Sequence, residues 1–215
     1  MIRSLSEKIE FPDPEEATSE GLLAFGGDLS HERLVYAYKN GIFPWFDEGS
    51  VILWWCPDPR MVLYPEDLKV SKSMRSILKK NVFKVTFNKD FEGVINNCAS
   101  MRRTGQDDTW ITEDMKKAYM KLYELGYAMS VEVWKDESLV GGVYGVDLGD
   151  VFCGESMFAR ESNASKAGFI TLVKHLRKKN YKLIDCQVYT DHLASLGAVE
   201  IPRNEFLKII QAVKG

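Results

Sequence analysis

The sequence predicts an α+β fold in two units: a small N-terminal domain over residues 1–65, packed on a larger mixed-sheet domain over residues 66–215. Three observations predict it. Residues 1–65 hold most of the prolines together with Trp45, Trp54 and Trp55, a composition of turns and aromatics. From about residue 66 the apolar spacing follows strand and helix periods. Within that larger unit, the order strand–strand–strand–helix–strand describes a mixed sheet with a helix packed on it.

A single helix stands out in residues 1–65. Ser30 caps its start, Glu32 suits its positive end, Leu34, Val35 and Tyr38 form an apolar stripe, and Gly41 ends it. Residues 42–60 then alternate turns and aromatics, and the rest of residues 1–65 is expected to be irregular. Ser71 caps a short helix to Lys80. Phe83, Val85 and Phe87 alternate with Lys84 and Thr86 in a half-buried strand over 82–87. Phe91, Val94, Ile95 and Cys98 mark a helix. Thr112 caps another, with Met115, Ala118, Tyr119 and Leu122 on its core face and Gly126 as its stop. Strands follow at about 127–135, 139–147 and 151–158, joined by the short turns Asp136-Glu137-Ser138 and Leu148-Gly149-Asp150. A helix over 164–179, a strand over 182–188 and a helix near 204–213 complete the chain. The middle portion of this order resembles the N-acetyltransferase-type (GNAT) fold, an analogy that does not by itself assign function.

Composition bounds the function. The 215 residues are 45% hydrophobic and 27% charged, as in an ordinary globular protein. The net charge of -3 argues against a wholesale nucleic-acid coat, though not against a local basic patch. Cys56, Cys98, Cys153 and Cys186 have no metal-ligand or CxxC spacing, which fits free thiols in a reducing compartment. The first residues lack the apolar core of a signal peptide, and no run reaches the ~18 apolar residues of a membrane span. A cytoplasmic protein without membrane contact is expected.

Two tracts carry the chemistry. Gly154-Glu155-Ser156-Met157-Phe158 and Asp185-Cys186-Gln187 each set a carboxylate among residues that read as buried strand. An ionised carboxylate there is costly unless it is paired or hydrogen-bonded. If the strands are neighbours, Glu155 and Asp185 open into one cleft, able to bind a cationic amine or take its proton, with Gln187 on the face of Asp185. The other reading is a structural hydrogen-bond network. On the helix after Ser71, Lys72, Arg75 and Lys79 fall within about 60° of one another, and Lys80 flanks them. That face is either ordinary solvated surface or a patch that tracks phosphates. Tyr38, Phe43, Trp45, Phe46, Trp54, Trp55 and Trp110 are core, a pocket wall or a stacking surface. Ser162 or Asn163 caps the helix that follows, whose N-terminus also suits an anion. His31, His175 and His192 form no metal pattern, and Arg102-Arg103-Thr104-Gly105 begins a polar loop.

Along nearly its whole length the chain resembles the leucyl/phenylalanyl-tRNA–protein transferases. The motifs that carry the resemblance run from Gly26-Gly27-Asp28-Leu29-Ser30 and Gly41-Ile42-Phe43-Pro44-Trp45-Phe46 through Pro57-Asp58-Pro59-Arg60 and Thr109-Trp110-Ile111-Thr112. They continue with Ser130-Val131-Glu132-Val133-Trp134, Phe152-Cys153-Gly154-Glu155-Ser156-Met157-Phe158, Asn163-Ala164-Ser165-Lys166, Leu183-Ile184-Asp185-Cys186-Gln187 and Asp191-His192.

The resemblance implies a small N-terminal domain on a GNAT-like catalytic domain. It implies transfer of leucine or phenylalanine, and less well methionine, from aminoacyl-tRNA to the α-amine of proteins that begin with Arg or Lys. The product carries an N-end degradation signal; no metal or small cofactor is implied, and a monomer is expected. Trp45, Trp110, Phe152, Met157, Phe169 and Leu172 would form the aminoacyl pocket, with Tyr38 near it. Val143 and Phe169 differ from the residues some members place there. Lys72, Arg75, Lys79 and Lys80 would hold the tRNA acceptor stem. Asp185 with Gln187 would take a proton from the amine or hold it, and Glu155 would position the amine or the terminal ribose. Two other readings are an acyl-CoA-dependent GNAT acyltransferase and a tRNA-binding module without catalysis. Against the first, Asn163 and Ser165 stand where a pyrophosphate loop starting from Arg160 would place small residues.

Overall fold

A computed structural model describes residues 2–101 and 111–213. The chain begins with β1 (Arg3–Leu5), β2 (Leu22–Gly26), α1 (His31–Lys39), β3 (Phe43–Pro44) and β4 (Leu53–Trp55). Next come β5 (Arg60–Leu63), α2 (Lys72–Lys79), β6 (Lys84–Phe87), α3 (Phe91–Ser100) and α4 (Glu113–Glu124). Then follow β7 (Ala128–Lys135), β8 (Ser138–Asp147), β9 (Val151–Ala159) and α5 (Ala164–Lys178). The chain closes with β10 (Leu183–Gln187), α6 (Asp191–Ser195), β11 (Val199–Ile201) and α7 (Arg203–Ala212).

The local signals mostly act as expected. Ser30, Ser71 and Thr112 each accept a hydrogen bond from the backbone N–H three residues on, at Arg33, Met74 and Met115. Asn163 departs from expectation. It precedes α5 in the left-handed region, with φ of 68°, and its side chain makes no capping bond. It donates instead to Ser162 Oγ.

Residues 1–65 are more regular than expected. Four short strands form a sheet in the order β1-β2-β4-β3. They run only two to five residues, too short for alternation to register in a sequence dominated by turn residues. The strand β5 is also missed, because all four of its residues are buried and so show no alternation of exposed and buried positions. It joins the larger sheet, whose order is β11-β5-β10-β9-β8-β7-β6.

That seven-stranded sheet is mixed: β9 and β10 run parallel and the other neighbours antiparallel. Its two faces are covered by different helices. A Cβ built on Gly141 would stand 2.8 Å from Ala164 at the start of α5. One built on the adjacent Gly142 would stand 2.9 Å from Val94 of α3. Successive residues of a strand point to opposite faces, so α5 lies on one side and α3 on the other. Burial follows: Phe169, Leu172 and Leu176 fill the α5 side, while Val94, Ile95, Met115 and Tyr119 fill the other.

Candidate active site

The site forms where two parallel strands diverge. Hydrogen-bonded register between β9 and β10 covers Leu183 with Val151, Ile184 with Phe152 and Asp185 with Cys153. Past those pairs, each strand carries a bulge. On β9, Gly154 and Ser156 pair with Gly145 and Tyr144, leaving Glu155 as the extra residue. On β10, Asp185 and Gln187 pair with Val62 and Met61, leaving Cys186 as the extra residue. A bulge bends its strand and re-aims a side chain. Gln187 also takes φ of 63°, so the simple two-residue alternation that placed it on the face of Asp185 does not hold.

Between the diverging ends lies a cleft of about 340 Å³, a size found in small-molecule pockets. Its depth is apolar, with Val143, Met157, Phe169, Ile184 and Leu193. Phe43, Pro44 and Trp45 from the N-terminal region form another wall. Glu155 and Gln187 supply polar groups, as do Thr190 and His192 at α6.

Glu155 is held on both oxygens. Gln187 Nε2 donates to Oε1 at 3.0 Å, and the Tyr119 hydroxyl donates to Oε2 at 2.9 Å. Tyr119 and Tyr38 share a further hydrogen bond between their hydroxyls. Burial pushes the Glu155 carboxyl up to about 7, while the donors around it, Gln187 and the linked phenols of Tyr119 and Tyr38, work against that rise. The same burial, with the Glu155 charge beside them, pushes both phenols well above their ordinary range. They therefore stay protonated and remain donors at neutral pH.

Asp185 lies elsewhere. Arg60 grips it bidentately, Nε to Oδ1 at 2.8 Å and Nη2 to Oδ2 at 2.7 Å, with both side chains 1% exposed. The guanidinium sits over the rings of Phe43 and Phe206, at 4.8 and 4.4 Å from their centroids. Asp185 Oδ1 also accepts the backbone N–H of Gln187 at 3.0 Å. The expectation that both acids open into one cleft is thus corrected: Asp185 is absent from the lining, and an arginine unrecognised in the sequence neutralises it. Its link to the cleft runs through Gln187.

The other expected residues divide. Trp45, Met157 and Phe169 line the cleft. Phe152 and Leu172 do not; they are buried behind it, packed with Phe169 and Ile184. Tyr38 is buried as well and reaches Glu155 through Tyr119. Trp110 and the loop 102–110 lie outside the described residues. Lys72, Arg75 and Lys79 on α2 and Lys80 just after it are all exposed, away from the cleft lining, and none pairs with a carboxylate among the described residues.

Comparison with known proteins bears on the whole chain. The family model described as leucyl/phenylalanyl-tRNA protein transferase matches residues 62–211, and that of the family's N-terminal domain matches residues 27–58. The chain belongs to the leucyl/phenylalanyl-tRNA–protein transferases. A transferase of this name from Flavobacterium johnsoniae is 60% identical over 208 residues, covering 97% of this chain and 98% of its own. One from Syntrophus aciditrophicus is 56% identical over 210 residues, covering 98% of this chain and 88% of its own. Among solved structures, a GCN5-related N-acetyltransferase from Kribbella flavida is similar at 11% identity and a TM-score of 0.39, over 77% of this chain and 59% of that one. The chain is an aminoacyltransferase, with aminoacyl-tRNA and protein as its substrates. No helix among the described residues is long and apolar enough to cross a membrane.

Sequence reading does not find the cleft-lining Ile184, Thr190 and Leu193, nor two members of the hydrogen-bonded network around the acids, Tyr119 and Arg60. Tyr119 was assigned to the core face of its helix, which is where its ring lies; only its hydroxyl serves the site. Arg60 carried a usable signal: a charged residue opening the buried run Arg60–Leu63, the same anomaly that marked Glu155 and Asp185.

Proposed function

We propose that this transferase works at the cleft between β9 and β10, moving leucine or phenylalanine, and less well methionine, from tRNA to the α-amine of proteins that begin with Arg or Lys. The product would carry an N-end degradation signal. One observation carries the reading: an apolar pocket whose polar wall is Glu155 held by Gln187 and a buried tyrosine.

The reaction is aminolysis of an ester. The attacking α-amine has a reference pKa of about 7.7–8.0, so a fair fraction is neutral at physiological pH. The aminoacyl side chain enters the apolar depth against Met157 and Phe169, with Trp45 at the pocket; Phe152 and Leu172 back its walls. Glu155, with its carboxyl near neutrality, can hold the incoming ammonium and accept its proton. Gln187 and Tyr119 fix the carboxylate for that task, and Tyr38 fixes Tyr119. Asp185 acts as a positioning residue: paired with Arg60, it holds the backbone of Gln187. Holding the ester and amine together supplies much of the acceleration. Lys72, Arg75, Lys79 and Lys80 hold the acceptor stem through phosphates, contacts that tolerate several tRNA sequences. The protein works as a cytoplasmic monomer, a small N-terminal domain on a catalytic domain whose sheet takes in β5, without metal or small cofactor.

The test is transfer of labelled leucine from charged tRNA to peptides that differ only in their first residue. Incorporation is expected into a peptide beginning with Arg and not into one beginning with Glu. Equal incorporation into both contradicts the acceptor assignment.

A further inference from the structure

Charge is spread unevenly along this chain. Residues 68–89 and 164–182 hold 13 of its 28 lysines and arginines and none of its 31 aspartates and glutamates. The remaining residues carry 15 cations against all 31 acids. The two basic segments meet in the fold. A groove brings together Ile77 and Leu78 of α2, Val85 of β6, and Ala167 and Thr171 of α5. Further along α5, the His175 ring lies 4.5 Å from that of Phe87 on β6, centroid to centroid. At 100° per residue, Lys178 falls within about 20° of both Ala167 and Thr171, and Lys174 within about 60°. Both lysines are exposed, so the flank of α5 that borders α2 is basic like α2 itself.

Three observations set these cations apart from an ordinary solvated face. Where an acid is in reach, their neighbours pair with it: Arg177, on the other flank of α5, with Glu66, and Lys182 with Asp150 at 3.2 Å. Lys174 and Lys178 have no carboxylate partner among the described residues. Helix stability does not account for the cations either. Lys72 opens α2 with no acid in its first turn, where a cation opposes the helix dipole. Lys178 suits the negative end of α5, but Lys174 precedes the last turn. The charges also act on what lies beside them. Burial first, and then Lys179 and Lys178, pull the His175 imidazole below its ordinary range. A crowded, unneutralised basic surface on an otherwise acidic chain fits a polyanion.

We propose that Lys174 and Lys178 form a second phosphate-binding stripe, which continues the basic face of α2 across the groove and holds the tRNA backbone beyond its aminoacyl end. The inference rests on α2 being the helix that holds the acceptor stem. The path of α5 supports it. This helix links the end of β9 to the start of β10, and Phe169 in its first half lines the cleft. Lys174 and Lys178 stand about 8 and 14 Å further along. One strand of a nucleic-acid duplex advances about 3.4 Å per nucleotide, so the stripe lies about two to four nucleotides from the cleft. Its contacts position the backbone and carry no direct sequence information.

The test is binding of leucyl-tRNA to the full-length protein, without acceptor peptide, over a series of salt concentrations. Lys174→Ala and Lys178→Ala are each expected to lower the log–log salt slope by about 1, and the double variant by about 2. Lys174→Arg and Lys178→Arg keep the charge and should keep the slope. Lys121→Ala is the control: it removes the same charge from α4, on the other face of the sheet, and should leave the slope unchanged. Thermal unfolding of the double variant should match wild type, because both side chains are exposed. A wild-type slope in the double variant overturns the stripe on α5. If Lys72→Ala lowers the slope in the same series, the role of α2 stands; if it does not, that reading fails as well. An equal drop in Lys121→Ala, or a drop in the arginine variants, also overturns the stripe, because the effect is then not a charge contact at that place.

Discussion

Glu155 stands on the wall of an open cleft, whereas Asp185, on the neighbouring strand, is sealed against Arg60. The two acids belong to one network, since Gln187 bonds to both, through its side chain to Glu155 and its backbone to Asp185. Their partners separate them. Asp185 meets a bidentate cation held between two aromatic rings, and its charge is fully answered inside the protein. Glu155 meets only neutral donors, and burial leaves its carboxyl near 7, where a proton is easily gained or lost. A buried acid paired with a cation stabilises a fold or orients its neighbours; a buried acid among neutral donors at a cleft is available for chemistry.

The sharpest way to break this contrast is to remove Arg60. Arg60→Ala leaves a buried carboxylate unpaired, with an expected loss of about 3–5 kcal/mol in unfolding free energy, read by denaturant titration. Substituting both partners with apolar residues of similar size should recover most of that loss. Recovery of stability without recovery of transfer would mark the pair as a device that orients Gln187.

A second test uses pH. The Glu155 carboxyl is raised in the folded state, to about 7 from an ordinary value near 4.3. Its contribution to stability is therefore fully present below about pH 4.3 and lost as pH rises through 7. From pH 5 to pH 8, wild-type stability should fall by about 2–3 kcal/mol relative to Glu155→Gln. Parallel stability curves for the two proteins would place Glu155 in the same class as Asp185.

The smallest effects belong to α2. Replacing Lys72, Arg75, Lys79 or Lys80 by Ala should each weaken tRNA binding about uniformly across tRNA sequences and reduce the log–log salt slope by about 1. Stability should be unaffected, because these side chains are exposed and carry no carboxylate partner among the described residues. A slope that does not change would separate this helix from the nucleic acid.

The contrast also explains what was legible in the sequence. The long elements were, since Phe83, Val85 and Phe87, or Met115, Tyr119 and Leu122, repeat at a period that survives folding. Short strands such as Phe43–Pro44 and Val199–Ile201 were not, because two or three residues have no period. Carboxylates in apolar tracts marked the network, and the same signal also falls on Glu132. That residue is fully buried but bonded to the hydroxyls of Ser130 and Thr86, both at 2.5 Å, and is absent from the cleft lining. Which buried acid faces a cleft depends on bulges and on partners distant along the chain. Arg60 reaches Asp185 across 125 positions, a pairing that no local pattern encodes.

The most direct test of the account is a structure of the protein bound to leucine amide-linked to 3′-amino-3′-deoxyadenosine. The leucyl side chain is expected against Val143, Met157 and Phe169, with its amide beside Glu155 and Gln187 and with Asp185 still clasped by Arg60. An analogue seated outside this cleft, or an Asp185 that leaves Arg60 to contact it, would contradict the account.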